Sequence, residues 1–297
     1  MRYETIIDRE TACGHRDDPE WVFVDCRFVI REPDRGQREY AQAHISKAVY
    51  AHLDRDLSGP IISGRTGRHP LPEPAQLVRT LSSWGIGAKT QVVAYDESTG
   101  AMAAARLWWL LKWAGHDAVA VLDGGFNSWC AAGLACSTGV ETNHAQSFEP
   151  KFRLKLAIEA DEILKVLADP AWVVLDARAA DRYRGIGETM DPVAGHIKGA
   201  FSAPYALNLT EEGTFKTARA LAEMFDAAMR GREAAHTVAY CGSGVTAAHT
   251  ILACAHAGKG MPRLYAGSWS EWIIDPARPI VGGGGAERSC SRSAPPA

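Results

Sequence analysis

Short apolar runs alternate along the chain with longer stretches of helical length. Four of the apolar runs cover residues 22–24, 92–94, 173–175 and 237–240. Each run is continuous rather than alternating, which is typical of strands that are covered on both faces of a parallel sheet. The longer stretches include residues 101–113 and 218–229, which have the apolar periodicity of amphipathic helices. The pattern predicts the α/β class, with parallel sheets flanked by helices on both faces.

The pattern of the first half returns in the second half at an offset of about 150 residues. In each half a strand-like run is followed by Asp-x-Arg, a His-Ile pair, a further run and a turn that contains tryptophan. The matched positions are Asp25 and Asp176, His44 and His196, Asp96 and Cys241, and Trp129 and Trp272. Signals repeated in the same order indicate an internal duplication. Because the aspartates and histidines of the first two motifs occur in both halves, we interpret them as structural residues.

The chemistry is carried by a cysteine at the end of a strand. Cys241 follows the run 237–240 and heads the glycine-rich loop Cys-Gly-Ser-Gly-Val-Thr, after which a helix-like stretch begins at Ala247. A strand, a tight loop and a helix direct backbone N–H groups at one point, and the helix dipole adds positive potential there. Both effects stabilise a thiolate, so Cys241 is a candidate nucleophile that can carry a second sulfur atom. The alternative is a structural cysteine buried in a strand-to-helix turn.

The duplication predicts two tandem domains. We assign residues 1–138 to the first and residues 150–281 to the second, with a polar, aperiodic linker between them. Residues 282–297 are rich in Gly, Ser and Pro, and we expect them to form a disordered tail. Since the strand that ends in Cys241 in the second domain ends in Asp96 in the first, we expect the first domain to be a catalytically silent copy that shapes the cleft.

Composition excludes several classes of function. The net charge of −3 gives no reason to expect a nucleic acid or a membrane surface as partner, and no apolar run reaches the length of a membrane span. No Walker loop, dinucleotide fingerprint or zinc spacing occurs, so we expect no cofactor and no metal. The seven cysteines include no Cys-x-x-Cys pair, which favours reduced thiols in a cytoplasmic protein. Cys130 and Cys136 are near enough to pair or to share a metal, but we favour two small buried residues near a turn; Cys290 receives no role.

These motifs together resemble the tandem-domain rhodanese family of sulfurtransferases. The resemblance runs from about Thr5 to Val281 and includes the Asp-x-Arg strand ends, the Gly-His-Ile loop, the cysteine loop and the closing Gly-Ser-Trp-Ser-Glu-Trp. It implies two α/β domains and transfer of sulfane sulfur from a small donor through a Cys241 persulfide to cyanide, a small thiol or thioredoxin. The cysteine loop looks like that of the 3-mercaptopyruvate sulfurtransferase branch, whereas thiosulfate enzymes more often have Arg and Lys directly after the cysteine.

The resemblance also assigns residues to the site. Cys241 matches the persulfide-forming nucleophile, and Arg182 matches the arginine that binds the substrate. Ser243 matches a loop serine that acts with a histidine and an aspartate of the first domain, which in this chain would be His69 and Asp54. A purely structural role stays open for these three residues. The loop residues expected to bind the substrate are Gly242, Gly244, Val245 and Thr246.

One position departs from the family pattern. Mercaptopyruvate enzymes usually have a second arginine about nine positions after the first, at the place where this chain has Asp191. The departure leaves open whether 3-mercaptopyruvate or thiosulfate is the preferred donor. It also motivates an alternative function, a persulfide carrier that receives sulfur from a partner protein. A third hypothesis, a cysteine phosphatase or arsenate reductase, would need an arginine that residues 241–248 lack.

Overall fold

The computed structural model describes residues 2–282 together with the backbone of residues 287 and 288. The helices within this part are α1 (Arg9–Gly14), α2 (Arg35–Gln42), α3 (Pro74–Ser83), α4 (Ala103–Trp113), α5 (Gly125–Ala131), α6 (Ala160–Ala168), α7 (Ala180–Arg184), α8 (Ala218–Ala228), α9 (Thr246–His256) and α10 (Ser268–Trp272). The strands are β1 (Ile6–Ile7), β2 (Trp21–Asp25), β3 (His44–Ile45), β4 (Val49–Tyr50), β5 (Gln91–Tyr95), β6 (Val119–Leu122), β7 (Cys136–Ser137), β8 (Val173–Asp176), β9 (His196–Ile197), β10 (Phe201–Ser202), β11 (Thr237–Tyr240), β12 (Arg263–Leu264), β13 (Ile280–Val281) and β14 (Glu287–Arg288).

A parallel sheet lies at the centre of each half. The strand order is β1-β6-β5-β2-β4 in the first sheet and β10-β8-β11-β12 in the second. All pairs within these two sheets are parallel, with Phe23 opposite Val93 in the first and Val174 opposite Val238 in the second. The predicted parallel sheets are therefore confirmed. Short antiparallel pairings, β3 with β7 and β13 with β9, lie beside them.

Both faces of each sheet are buried, because successive strand residues point to opposite sides and are apolar on both. In the first sheet Val22 and Val24 belong to one apolar cluster and Phe23 to another. The cluster that contains Val22 and Val24 continues into the second half, where it includes Leu175 and Ala239. One shared core therefore joins one face of the first sheet to one face of the second.

Helix α4 lies within this shared core. All of its residues are buried, and it packs against α9 of the second half. We expected an amphipathic helix over residues 101–113; the helix begins at Ala103 and has no solvent face, because the second half covers the side that would be exposed. Helix α8 does have the expected amphipathic form, with Leu221 and Phe225 buried. The packing of α4 on α9 brings the first half to the loop that precedes α9.

The motifs repeated in both halves make matching contacts. Each arginine of Asp-x-Arg forms an ion pair with the aspartate of its own motif and donates to a carbonyl directly before the His-Ile pair. His44 Nδ1 bonds the carbonyl of Tyr40 at 2.8 Å, and His196 Nδ1 bonds that of Tyr183 at 2.7 Å. These contacts tie the His-Ile pair to the strand ends in the same way twice, which agrees with a structural role.

The periphery of the molecule corrects one interpretation. Cys130 and Cys136 are exposed, on the outer side of α5 and in the edge strand β7, so it was wrong to interpret them as buried residues.

In the tail, the backbone of Glu287–Arg288 pairs with Ile280–Val281. The rest of the tail, including Cys290, lies outside the described residues, so its disorder stays a prediction, as do the domain boundaries. Among the described helices none combines the length and apolar character that crossing a membrane requires.

Candidate active site

Cys241 lies at the carboxyl end of β11, where its loop leads into α9. The side chain is buried, and the backbone N–H of Gly244 donates to its Sγ at 3.1 Å. Gly244 has a φ of +78°, and a Cβ at this position would lie 2.5 Å from the carbonyl oxygen of Ala266. Only glycine fits this close approach and this backbone conformation. The sequence of the loop thus allows its backbone to fold around the sulfur atom.

The rest of the loop presents further N–H groups. Within the described residues, the N–H groups of Gly242, Ser243 and Val245 donate to no protein acceptor. Val245 directly precedes α9, and Thr246 is its first residue, so the positive end of the helix points at the loop. Successive free N–H groups at a helix N-terminus form a site for an anion. The four loop positions expected to bind the substrate therefore lie beside Cys241.

The segment of residues 265–270, which ends in the first turn of α10, holds the cysteine loop in place. Ser268 Oγ accepts the N–H of Cys241 at 3.1 Å. The N–H groups of Trp269 and Ser270 donate to the carbonyls of the first two residues of the cysteine loop, both at 3.0 Å. Ser268 has a positive φ of 54°, a conformation that costs about 1–3 kcal/mol for a residue with a side chain. The Gly-Ser-Trp-Ser-Glu-Trp motif thus holds the backbone of Cys241 and Gly242 by hydrogen bonds.

Three residues assigned by resemblance form a hydrogen-bonded chain across the two halves. Ser243 Oγ lies 2.8 Å from His69 Nδ1, and His69 Nε2 lies 3.2 Å from an Asp54 carboxylate oxygen. Ser243 and His69 are buried, whereas the Asp54 side chain is 41% exposed. Burial lowers the pKa of His69 despite the opposing effect of Asp54, and the hydrogen bond to His69 lowers the pKa of Asp54. A neutral His69 that donates to Asp54 has its Nδ1 free to accept the Ser243 hydroxyl.

Arg182 lies in α7 with its guanidinium beside the cysteine loop. Its Nε donates to Glu188 at 2.9 Å and its Nη2 to Asp191 at 2.8 Å. The Asp191 carboxylate also accepts a hydrogen bond from Arg68 of the first half. Hydrogen bonds from Arg182 help to lower the pKa of Glu188 against the effect of its burial. Asp191, which stands where we expected a second arginine, is therefore the shared partner of two arginines.

Arg68 and Arg106 also reach the site, although neither belongs to a motif that predicted a role for it. Arg68 directly precedes His69, and its N–H donates to Ser270 Oγ at 3.1 Å. Arg106 lies in the buried helix α4 and donates to the carbonyls of His69 at 3.1 Å and Gly244 at 3.4 Å. One signal was visible in the sequence, because Arg106 is the one charged residue among the apolar residues 101–111.

The guanidinium of Arg106 has no ion pair with a carboxylate of the described residues, and it is fully buried. Burial lowers its pKa to about 10, while the nearby Cys241 acts in the opposite direction. The guanidinium lies at the cysteine loop, because its Nη1 donates to the carbonyl of Gly244. The first half thus places a buried cation at the loop of the second half that contains Cys241.

Comparison with known proteins identifies the family. The model of the rhodanese-like domain matches residues 10–132 and again residues 159–275. The chain belongs to the rhodanese-like family. Because the model matches twice in tandem, each of the two parallel-sheet halves is a rhodanese-like domain.

Rhodanese-like relatives resemble this chain over most of its length. The "Probable 3-mercaptopyruvate sulfurtransferase" of Pseudomonas aeruginosa is 48% identical over 284 residues, which are 95% of this chain and 100% of that protein. The "Putative thiosulfate sulfurtransferase SseB" of Mycobacterium tuberculosis is 39% identical over 262 residues, covering 86% of this chain and 89% of that protein. The solved 3-mercaptopyruvate sulfurtransferase from Leishmania major is 32% identical with a TM-score of 0.79, covering 91% of this chain and 74% of that chain. The protein is a sulfurtransferase, which excludes the phosphatase hypothesis.

Proposed function

We propose that this sulfurtransferase takes sulfur from a small anionic donor, 3-mercaptopyruvate or thiosulfate, onto Cys241 and passes it to a thiol. The observation that carries the proposal is the position of Cys241 in a loop of N–H groups, next to the cations Arg106 and Arg182. A thiolate in such surroundings is a good nucleophile, and the same N–H groups stabilise the negative charge of a persulfide.

With 3-mercaptopyruvate the first step cleaves a carbon–sulfur bond. The Cys241 thiolate attacks the donor sulfur, and the electron pair of the C–S bond leaves with the carbon as the enolate of pyruvate. The proton of the donor thiol ends on that carbon, so the products are pyruvate and a Cys241 persulfide anion. With thiosulfate the attack falls on the outer sulfur, and sulfite leaves with the electron pair of the S–S bond.

Ser243, His69 and Asp54 have the arrangement of a proton relay. The donor thiol must lose its proton and the enolate must gain one, and the Ser243 hydroxyl lies in the cysteine loop within hydrogen-bond distance of His69. A neutral imidazole can accept the hydroxyl proton and return it, while Asp54 holds the ring in place. We assign proton transfer to Ser243 and His69, and the positioning of His69 to Asp54.

The second step returns the enzyme to its starting state. A thiol attacks the outer persulfide sulfur, takes it as a new persulfide and leaves the Cys241 thiolate. Small thiols and thioredoxin are the proposed thiol acceptors. Cyanide is a further proposed acceptor, because it attacks the same outer sulfur and takes it as thiocyanate. We propose the cytoplasm as the compartment, because the cysteines in the described part of the chain all carry free thiols.

The proposal is tested by incubating the protein with each donor and recording intact mass and turnover. We expect the mass to increase by one sulfur atom, the gain to map to the peptide that contains Cys241, and an added thiol to remove it. Double displacement also predicts ping-pong kinetics. Pyruvate release without sulfur on Cys241 would contradict the mechanism, and sulfur uptake only from a partner protein would favour the persulfide carrier.

A further inference from the structure

The turn that carries Asp54 follows β4 at the carboxyl end of the first sheet. The Asp54 carboxylate lies 3.2 Å from His69 Nε2, and within the described part of the chain it has no other ion-pair or hydrogen-bond partner. Its side chain is also partly exposed, so neighbouring side chains do not enclose it. The direction of the carboxylate towards His69 therefore depends on how the backbone of the turn holds Asp54.

His52 holds that backbone through its ring. The backbone N–H of Asp54 donates to His52 Nδ1 at 3.1 Å, a bond from a side chain to the N–H two residues on, as in an Asx turn. The Asp56 carboxylate accepts the N–H of His52 at 2.7 Å, and the N–H of Asp56 donates to the His52 carbonyl at 2.9 Å. Leu53 and Leu57 within the same segment are fully buried. The segment is thus anchored at both ends, and the N–H of Asp54 is fixed by His52.

Packing holds the His52 ring in one orientation. Its side chain is 4% exposed, and the rings of Phe28 and Tyr50 lie edge-on to it, with centroid distances of 5.3 Å and 6.3 Å. The ring nitrogen Nε2 is buried and has no hydrogen-bond partner among the described residues. The ring therefore bonds this part of the protein through Nδ1, and its aromatic neighbours set its position independently of Asp54.

The neutral form of the ring is the one that can accept the N–H of Asp54. Burial lowers the pKa of His52, and Arg55 acts in the same direction. The carboxylates that face the ring act in the opposite direction, and they belong to Asp34, Asp54 and Asp56. A neutral imidazole with its proton on Nε2 accepts at Nδ1, whereas a protonated ring would direct an N–H at the N–H of Asp54.

We propose that His52 is a positioning residue for sulfur transfer, because its Nδ1 fixes the backbone of Asp54 and thereby aims the Asp54 carboxylate at His69. The inference rests on the proposed function, since it takes the relay of Ser243, His69 and Asp54 as the machinery that His52 serves. His52 acts through Asp54 and exchanges no proton with the donor. A ring held by packing gives the exposed turn a fixed acceptor that a flexible side chain would not supply.

Two variants of similar shape separate the acceptor from the bulk of the ring. His52→Asn keeps an oxygen acceptor at the position of Nδ1, whereas His52→Leu places a methyl group there. We expect the kcat for 3-mercaptopyruvate to fall about fivefold in His52→Leu and to stay within about twofold of wild type in His52→Asn, which corresponds to the loss of one hydrogen bond. Circular dichroism establishes that both are folded, and His52→Ala replaces His52→Leu if the latter does not fold. Equal kcat values in the two folded variants would overturn the proposal.

A double variant tests whether His52 acts through Asp54. Asp54→Ala removes the carboxylate, so adding His52→Leu to it should lower kcat no further. Losses that multiply would mean that His52 acts independently of Asp54, and the proposal would be wrong. The matched control is His116→Leu, because His116 is a buried histidine of the same half whose Nε2 bonds the carbonyl of Thr90 at 2.8 Å. That variant should lower the unfolding temperature and leave kcat unchanged.

The pKa of His69 reports on the same geometry without any turnover. Asp54 raises the pKa of His69 against the effect of burial, so this pKa should fall further when the carboxylate is no longer aimed at the ring. We expect the fall in His52→Leu and a smaller one in His52→Asn. An NMR titration of histidine-labelled protein measures it, and the His69 signal is identified by its absence in His69→Asn. An unchanged His69 pKa in His52→Leu would contradict the inference.

The two readouts separate this inference from the function on which it rests. A His69 pKa that responds to His52→Leu, in a protein whose kcat is unaffected by Asp54→Ala, would support the positioning of Asp54 by His52 and refute the proposed relay. A kcat that depends on Asp54, with neither kcat nor the His69 pKa responding to His52→Leu, would do the reverse.

Discussion

The two halves end their central strands in the same kind of loop but place different residues at its head. In the first half, Asp96 follows β5, and its carboxylate accepts the N–H groups of Gly100 at 2.8 Å and Met102 at 3.0 Å. In the second half, Cys241 follows β11, and its sulfur accepts the N–H of Gly244. The Asp96 carboxylate accepts hydrogen bonds from the N–H groups of its own loop. The Cys241 sulfur accepts only that of Gly244 among the described residues, so most N–H groups of the second loop stay free for a ligand.

The supports behind the two loops are the same. The N–H groups of Phe126 and Asn127 donate to the carbonyls of the first two residues of the Asp96 loop, both at 2.9 Å. Trp269 and Ser270 do the same for the Cys241 loop. Since the scaffold is shared, the difference between the halves lies in the residue at the head of the loop and in its surroundings. The same scaffold therefore has its loop N–H groups occupied by a carboxylate in the first half and mostly free beside a cysteine in the second.

The largest loss of turnover is expected when Cys241, at the head of the second loop, is replaced by the aspartate that stands at the head of the first. In Cys241→Asp the carboxylate takes the N–H groups of the loop, so the protein should fold but lose its nucleophile. We expect turnover to fall on the order of ten-thousandfold or more. Steady-state assays with both donors and intact mass after donor treatment measure the loss. The matched control is Cys130→Ser, an exposed cysteine whose removal should leave turnover unchanged.

Features that depend on local sequence signals could be predicted, whereas features that depend on contacts between distant parts of the chain could not. The two parallel sheets and the position of Cys241 depend on local signals, an apolar run and a glycine-rich loop, and both were predicted. Ser243, His69, Asp54 and Arg182 came from the family resemblance, and the first three are hydrogen-bonded across the halves. Their roles remain to be tested.

The sequence did not predict what depends on packing between the halves. Helix α4 has no solvent face because α9 covers it, and its Arg106 is a contact of the cysteine loop only because of that packing. In the sequence, Asp191 indicated only that an expected arginine was missing. Its two arginine partners lie nine and 123 positions away in the chain, so their contact with Asp191 could not be predicted from the sequence. Cys130 and Cys136 looked buried by residue type, but they lie on an outer edge that composition does not specify.

The next largest loss of turnover is expected at Arg106, the buried cation that the first half places at the Cys241 loop. Arg106→Met removes the buried cation with little change in volume, and we expect turnover and the iodoacetamide rate at Cys241 to fall on the order of a hundredfold. The carbonyls of His69 and Gly244 lose a donor, so the free energy of unfolding should fall by about 1–3 kcal/mol. Alkylation kinetics at fixed pH and thermal unfolding measure the two effects.

A conservative variant distinguishes the electrostatic role of Arg106 from a structural one. Arg106→Lys keeps the charge but not the fork of donors, so the iodoacetamide rate should recover more than the stability does. If Arg106→Met is folded and its Cys241 reacts at the wild-type rate, Arg106 only supports the packing of the two halves.

The smallest expected change in kcat concerns the serines at the third position of the two loops. Ser243 Oγ is hydrogen-bonded to His69, whereas the N–H of Ser98 donates to Asp96 in the matching loop of the first half. We expect Ser243→Ala to lower kcat for 3-mercaptopyruvate about tenfold, less than a general acid usually contributes, because water can carry part of the proton transfer. Ser98→Ala should leave kcat unchanged.

The pH dependence of this difference tests whether the serine acts through His69. Burial lowers the pKa of His69, so the neutral imidazole that accepts the Ser243 proton persists below its ordinary value of about 6.5. The advantage of wild type over Ser243→Ala should therefore be complete at neutral pH and disappear only as the pH falls through that lowered pKa. Steady-state kcat profiles of both proteins measure it. A ratio that stays constant over the whole range would show that Ser243 shapes the loop without moving a proton through His69.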